Sequence, residues 1–242
     1  MNSFNTFGIQ MDIEPIIQMD KQLLLALNGS SSLFVDYLAK TLTTASTWIP
    51  LYLSLFYVVI KNNDNFRRIL FVLACAGLCV LLAGTVDDLI VKPSVARLRP
   101  THDLQIGMLV DTVDGYRGGK YGFFSAHAAN TFSVALFMSL LMRSGLLSTL
   151  LVAWSLTNCW TRLYLGVHYP FDILCGLLWG ACVATGIYFL FRYVDSKFVH
   201  GDIDYVSSKY TSTGYRYSDI YVVVVVLALT LVYCILRSLV LA

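Results

Sequence analysis

Six stretches without acidic, lysine or arginine residues dominate the sequence, each 17 to 22 residues long. A helix needs about 20 residues to cross the hydrocarbon core of a bilayer. Backbone groups in lipid must be satisfied within such a segment, and the alternation expected of a barrel is absent. The sequence therefore predicts an all-α integral membrane bundle with six transmembrane helices. The stretches lie between Lys40 and Lys61, Arg68 and Asp87, Lys120 and Arg143, Arg143 and Arg162, Asp172 and Arg192, and Asp219 and Arg237.

Composition supports the bilayer as the main partner of the chain. Only 13% of the residues are charged and 57% are hydrophobic, whereas soluble domains carry about 25% charged residues. The net charge of +2 provides no basic field for nucleic acid. The six cysteines lie in apolar stretches without a CxxC pair and are interpreted as core residues. No obligate protein partner is inferred.

The first 40 residues precede the spans and differ from them. Asp12, Glu14 and Asp20 stand where a cleavable signal would have its basic region and apolar core. Leucines alternate with charges between residues 16 and 38, which favours an interfacial amphipathic segment over residues 1–40. A soluble helical hairpin packed on the bundle is the alternative. Residues 41–242 are then the transmembrane domain.

The orientation follows from the loops. Loops 61–68, 143–147 and 192–219 share one side and carry a basic set that the positive-inside rule places in the cytoplasm. The long connection from Lys92 to Lys120 then faces the periplasm or exterior, in an inner (cytoplasmic) membrane. The basic set is Lys61, Arg67, Arg68, Arg143, Arg192, Lys197, Lys209 and Arg216.

Three clusters of polar residues reach that outer face together. Lys92 to Pro100 ends the second span, Ser125-Ala126-His127 opens the third, and Arg162 to Asp172 bridges the fourth and fifth. Arginine gives planar bidentate donors to phosphate, lysine gives a compact charge, and a helix start such as Ser125 binds anions. The clusters predict a phosphate site at this face, with Ser125 and the backbone amides after it, that of Ala126 first, at its helix start.

Two histidines supply the expected catalysis. His168 precedes Pro170, which favours a helix start, so Asp172 falls in the first turn and can reach back to orient the imidazole. His127 is then free to give a proton to the leaving oxygen. The four histidines of the chain show no short-spaced pair, and nearby cations would repel a metal. We therefore expect neither a metal nor another cofactor.

Two further residues are possible supports. Arg97 is either a second phosphate or pyrophosphate ligand or a structural arginine. Asp88 stands four residues before Lys92 and can share its helix face, whereas Asp87 should point about 100° away. The alternative is that both acids only mark the water boundary.

Three motifs in the sequence together resemble the signature of the type 2 phosphatidic acid phosphatase (PAP2) superfamily. They are Lys-x6-Arg-Pro (Lys92, Arg99, Pro100), Ser-x-His (Ser125, His127) and Arg-x5-His-x3-Asp (Arg162, His168, Asp172). The resemblance covers residues 85–190. It implies His168 as a nucleophile forming a phosphohistidine, Asp172 as its orienting acid, His127 as general acid, and Lys92, Arg99, Ser125 and Arg162 as phosphate ligands. Phe124 and Ala126 depart from the usual Pro and Gly, and Thr161 from the usual Ser.

The resulting expectation is a metal-independent phosphatase acting on a lipid phosphomonoester or pyrophosphate. Candidate substrates are undecaprenyl pyrophosphate, lipid A, phosphatidate and phosphatidylglycerophosphate. One alternative is a vanadate-dependent haloperoxidase, which shares the pocket but is soluble in that superfamily. Another is a non-catalytic lipid-binding or transport protein that keeps the fold, although such a protein should lose the nucleophile.

Overall fold

In a computed structural model, residues 3–6, 9–199 and 207–242 are described. Within these ranges the regular secondary structure is helical apart from one antiparallel hairpin, β1 (Ser3–Thr6) with β2 (Ile9–Asp12). The predicted helical class is confirmed, and the hairpin was not anticipated. The α-helices are α1 (Glu14–Leu27), α2 (Leu33–Thr43), α3 (Ile49–Lys61), α4 (Phe66–Val86), α5 (Lys92–Val95), α6 (Ala126–Met142), α7 (Gly145–Tyr164), α8 (Pro170–Val194) and α9 (Tyr217–Leu241).

Each predicted span coincides with helix, but the helices differ in length. By length and hydropathy, three can cross a membrane: Phe66–Val95, Pro170–Lys197 and Tyr217–Leu241. A fourth exists if α2 and the following Ala45–Lys61 count as one span, although they meet at a bend of 68°. Thr44 has extended backbone there, and Pro50 is the second residue of α3, where its missing N–H costs no hydrogen bond.

Helix α6 lies at the centre of the bundle, against α4, α7 and α8. Two glycines let α8 approach it closely. A Cβ on Gly176 would lie 2.6 Å from the Ser125 carbonyl oxygen, and one on Gly180 would lie 2.6 Å from that of Ala129. Large apolar side chains on the outer surface stay exposed, among them Leu53, Leu81, Leu178 and Leu229. The close α6–α8 contact holds the start of both helices, and thus two of the three motifs, side by side.

Helix α1 is inverted relative to a soluble amphipathic helix. It buries Asp20 and Lys21 together with Leu24, while Ile16, Met19 and Leu23 are exposed. Two charged side chains of α1 therefore pack on the protein, and several of its large apolar side chains point outward. Residues 28–32 separate α1 from α2, and residue 40 lies in the last turn of α2.

The end of the bundle opposite the motifs is tied by polar contacts. Arg68 pairs with Asp195 through its Nε at 3.0 Å and its Nη2 at 3.1 Å. Asn62 donates to the Asp219 carboxylate at 3.1 Å. These contacts bring loop 61–68 to the ends of α8 and α9, as the alternating spans predict. Residues 200–206 of the second long connection lie outside the described residues.

Candidate active site

His168 lies between α7 and α8 and is 1% exposed. Its Nε2 is 3.0 Å from Nη1 of Arg99. A guanidinium can only donate hydrogen bonds, so Nε2 accepts and the ring proton of the neutral form sits on Nδ1. Burial, followed by the charges of Arg99 and Arg162, holds the pKa of His168 well below its ordinary value. The imidazole is therefore neutral, with a lone pair on the nitrogen that faces the cations.

Asp172 occupies the first turn of α8, as the sequence predicts. Its Oδ2 accepts the Tyr169 backbone N–H at 3.0 Å and lies 3.6 Å from Nδ1 of His168. The latter distance exceeds a normal hydrogen bond, so the carboxylate faces the ring without a direct bond. Its Oδ1 accepts from Nη1 of Arg97 at 2.7 Å. The backbone of Asp172 also accepts the Ser125 N–H at 3.1 Å, which ties the second motif to the third.

Arg99 is held by the loops around it. Besides His168, its Nη1 reaches the Val167 carbonyl at 3.0 Å, and its Nε reaches the Tyr121 carbonyl at 3.2 Å. Gly118 has a φ of +67°, and a Cβ there would lie 3.2 Å from the guanidinium carbon of Arg99. Burial and the charge of Arg162 lower the pKa of Arg99. The guanidinium is therefore fixed in a crowded, positively charged region.

Arg162 comes from the last turn of α7 and is 2% exposed. Its Nη1 donates to the Thr43 hydroxyl at 2.7 Å, and its Nη2 donates to the Tyr116 hydroxyl at 3.2 Å. Sequence reasoning missed Thr43, for which the pattern gives no signal. It assigned Tyr116 no role, although this residue lies in the polar connection between the first two motifs.

Lys92 contacts two carboxylates at the end of α4. Its Nζ lies 2.6 Å from Oδ1 of Asp88 and 2.7 Å from Oδ2 of Asp87. The prediction that Asp87 points away from Lys92 is therefore wrong. Residues Asp87–Val91 form a π-helical turn, in which the Lys92 N–H bonds to the Asp87 carbonyl five residues back. That turn brings Asp87 onto the face of Lys92, and Asp87 is the fully buried acid of the two.

The second motif opens α6. Ser125 is fully buried, and its hydroxyl caps the helix by accepting the Ala128 N–H at 3.4 Å. Ala126 is the first residue of α6, and His127 follows it. The charges of Arg162, Arg99 and Lys92 all act on the His127 ring. The structure thus brings Lys92, Arg99, Ser125, His127, Arg162, His168 and Asp172 to one end of the bundle.

Arg97 is turned toward acids instead. Its Nη1 reaches Asp172, and its Nη2 reaches Oδ2 of Asp20 in α1 at 2.6 Å. Both terminal nitrogens are thus engaged by carboxylates, which fits the structural alternative rather than a phosphate ligand. Sequence reasoning placed Asp20 in an interfacial segment and missed this contact. The sequence did contain a signal for this contact, because Asp20 is an acid that stands among the apolar residues Ile16, Ile17, Met19 and Leu23.

The site groups a neutral imidazole, buried guanidinium groups and an ammonium at the start of a helix. The cations can bind a phosphoryl group, and the imidazole can attack it. Among residues 3–6, 9–199 and 207–242, no three His, Cys, Asp or Glu side chains are grouped as metal ligands.

Comparison with known proteins agrees with this chemistry. Residues 65–196 match the PAP2 superfamily. A lipid A 4'-phosphatase from Bacteroides thetaiotaomicron is 40% identical over 179 residues, 74% of this chain and 79% of the relative. Another from Porphyromonas gingivalis is 31% identical over 189 residues, 77% and 79% of the two chains. The crystal structure of a transmembrane PAP2-type phosphatidylglycerolphosphate phosphatase from Bacillus subtilis superposes with a TM-score of 0.55 at 18% identity, over 76% and 88%.

Proposed function

This chain belongs to the PAP2 superfamily and is a membrane lipid phosphatase, and on that premise we propose that it removes the 4'-phosphate of lipid A through a phosphohistidine on His168. The activity in the names of the two bacterial relatives favours lipid A over undecaprenyl pyrophosphate, phosphatidate and phosphatidylglycerophosphate. The observation that carries the mechanism is the 3.0 Å contact between Nη1 of Arg99 and Nε2 of His168, which places the nitrogen that would attack among the cations.

The reaction proceeds in two displacements. In the first, Nε2 of His168 forms a bond to phosphorus while the bond from phosphorus to the sugar oxygen breaks. His127 gives its proton to that oxygen, and the lipid alcohol leaves. In the second, water attacks the phosphohistidine, His127 takes a proton from the water, and the P–N bond breaks. Inorganic phosphate and the neutral His168 are regenerated, and no external co-reactant is required.

The cations stabilise the transferring group. Lys92, Arg99 and Arg162 oppose the charge that spreads over the three phosphoryl oxygens in the transition state. The start of α6, with the Ser125 hydroxyl and the Ala126 amide, adds dipoles aimed at an anion. Asp172 faces the protonated side of the His168 ring and opposes the positive charge that develops there when Nε2 bonds to phosphorus. These cations occupy positions where a two-metal phosphatase would carry carboxylates, so we propose metal-independent catalysis.

We also propose six crossings of the inner membrane, with the site on the periplasmic side and α1 in the interface. Helices occupy all six uncharged runs, and the Lys61, Arg67 and Arg68 cluster lies at the opposite end from the motifs. The exposed apolar face of α1 suits contact with lipid. Residues 41–242 then form the catalytic domain.

The substrate test uses purified protein in detergent. Release of inorganic phosphate is measured from lipid A, undecaprenyl pyrophosphate, phosphatidate and phosphatidylglycerophosphate, with His168→Ala as control. We expect lipid A to have the highest kcat/KM, and analysis of the product should show loss of the 4'-phosphate. A higher kcat/KM for any other lipid would replace lipid A as the substrate. Normal turnover by a folded His168→Ala variant would instead refute the nucleophile.

Orientation is tested by labelling in a variant whose native cysteines are replaced by alanine. Gly119→Cys lies in the long loop, with open space around its Cβ position. It should react with an impermeant thiol reagent in spheroplasts. The matched control is Asp64→Cys, in the loop at the opposite end, which should react only after lysis. The reverse pattern would invert the proposed topology.

A further inference from the structure

The buried face of α1 carries an acid that contacts the catalytic region. Asp20 is 5% exposed, and both of its carboxylate oxygens are used. Its Oδ2 accepts from Nη2 of Arg97 at 2.6 Å, and its Oδ1 accepts the backbone N–H of Phe171 at 2.9 Å. Phe171 is the second residue of α8, one position before Asp172. Asp20 therefore binds both the arginine that contacts Asp172 and the helix turn that carries Asp172.

Arg97 connects the two carboxylates directly. Its Nη2 contacts Asp20 and its Nη1 contacts Asp172, while its guanidinium carbon lies 4.1 Å from the centroid of the Tyr169 ring. With two acids and an aromatic face around it, the guanidinium has one well-defined position. Burial by itself lowers the pKa of Arg97, but Asp172 and Asp20 outweigh it and raise the pKa, so the arginine stays charged.

The surroundings make these contacts strong. Asp20 and Arg97 line a cavity of about 590 Å³ whose other walls include Ile17, Leu98 and Phe171. The Asp20 side chain is 6% exposed, and burial strengthens an ion pair and penalises the loss of one partner. Removing the charge of Asp20 would leave Arg97 with Asp172 as its remaining carboxylate partner within the described residues.

We propose that Asp20 is a positioning residue for the reaction: through Arg97 and the first turn of α8, it holds the Asp172 carboxylate opposite the protonated nitrogen of His168. This inference rests on the proposed role of His168 as nucleophile. Asp20 touches neither the reacting atoms nor the proposed phosphate ligands. Without Asp20, Arg97 can move toward Asp172, and the carboxylate can turn away from the ring.

The consequence lies in turnover rather than substrate binding. Within the described part of the chain, Asp20 bonds to Arg97 and to the Phe171 N–H, and to none of the proposed phosphate ligands Lys92, Arg99 and Arg162. Their affinity for the substrate should therefore survive its loss. The charge that develops on His168 in the transition state would be opposed less well. Losing a residue that orients a metal ligand costs about tenfold to a hundredfold in activity, and we expect a loss of the same order for a residue that orients Asp172.

The test compares Asp20→Asn with wild type and with Glu14→Gln. Glu14 lies on the same helix, is exposed, and loses the same charge in its variant. With lipid A in detergent micelles, or phosphatidate if lipid A is not turned over, Asp20→Asn should lower kcat at least about tenfold. Its KM should stay within about twofold of wild type, and Glu14→Gln should match wild type. A uniform loss of folded protein would lower the apparent kcat too, so the folded fraction is measured by size exclusion.

A double-mutant cycle identifies the route. If Asp20 acts through Arg97, Asp20→Asn should cost much less in an Arg97→Gln background than in wild type. Equal losses in both backgrounds would overturn the proposal, as would a kcat for Asp20→Asn within about twofold of wild type. If Asp20→Asn does not fold, Asp20→Ser takes its place, since it also removes the carboxylate and keeps a small polar side chain. His168→Ala runs in parallel: an active His168→Ala variant refutes the nucleophile, whereas an inactive one with normal Asp20 variants refutes only the role of Asp20.

Discussion

The two neighbouring acids before Lys92 should differ strongly when each is changed to asparagine. Asp87 is fully buried, with Oδ2 2.7 Å from Nζ of Lys92, whereas the Asp88 side chain is 61% exposed at 2.6 Å. At 2.7 Å and an effective dielectric constant of about 20, the gross attraction is about 6 kcal/mol. Breaking a buried pair from one side costs about 3–5 kcal/mol net. Since Lys92 keeps Asp88, we take the lower limit, about 3 kcal/mol, for Asp87→Asn.

An exposed pair four residues apart contributes only about 0.5 kcal/mol. If these costs fall on the placement of the Lys92 ammonium, kcat/KM should drop roughly a hundredfold for Asp87→Asn and about twofold for Asp88→Asn. The assay is phosphate release by equal amounts of folded protein, as judged by size exclusion. Equal losses, or a larger loss for Asp88→Asn, would falsify the inference that the buried ion pair with Asp87 matters more to Lys92 than the exposed contact with Asp88. The sequence by itself predicts the opposite order.

Four other results are expected. His127→Ala should lower turnover of a phosphomonoester about a hundredfold or more. Turnover of a pyrophosphate lipid should fall much less, because its leaving group needs less help from a proton. Equal losses for the two substrates would contradict a general-acid role. Vanadate should inhibit because it adopts the geometry of the transferring group, and EDTA should leave the rate unchanged; magnesium-dependent recovery after EDTA would refute metal independence. Because the pKa of His168 is lowered and its neutral form attacks, the ring should stay neutral well below the ordinary pKa of about 6.5; an NMR ring signal that is absent in His168→Ala and titrates near 6.5 would contradict this. Gly176→Ala should destabilise the fold by about 1–3 kcal/mol because its Cβ meets the Ser125 carbonyl at 2.6 Å. The control is Gly186→Ala, which should keep the wild-type Tm because the space around its Cβ position is open. Equal melting temperatures for the two variants would argue against this packing.

The pattern of charged and uncharged residues along the sequence was sufficient to predict the helical fold class and to predict that the three motifs lie at the same end of the bundle. Uncharged runs of about 20 residues have few alternatives to helices in lipid, and alternation of spans places Lys92, Ser125 and His168 at one end. The start of α8 was also readable, because Pro170 and Asp172 act within a single turn. Each of these inferences depends on neighbours in sequence or on the bilayer.

Side-chain pairing was decided only by the tertiary structure. The π-helical turn at Asp87–Val91 shifts the helix phase, so that Asp87 meets Lys92, and no residue pattern announces that shift. Arg97 is drawn to Asp20 and Asp172 from helices far apart in sequence, and Arg162 is drawn to Thr43 of α2. Residue types and spacing determined which groups reach the membrane face. Which carboxylate or hydroxyl each cation meets depends on angstrom-scale helix packing, because buried charges accept only partners that come within hydrogen-bond distance.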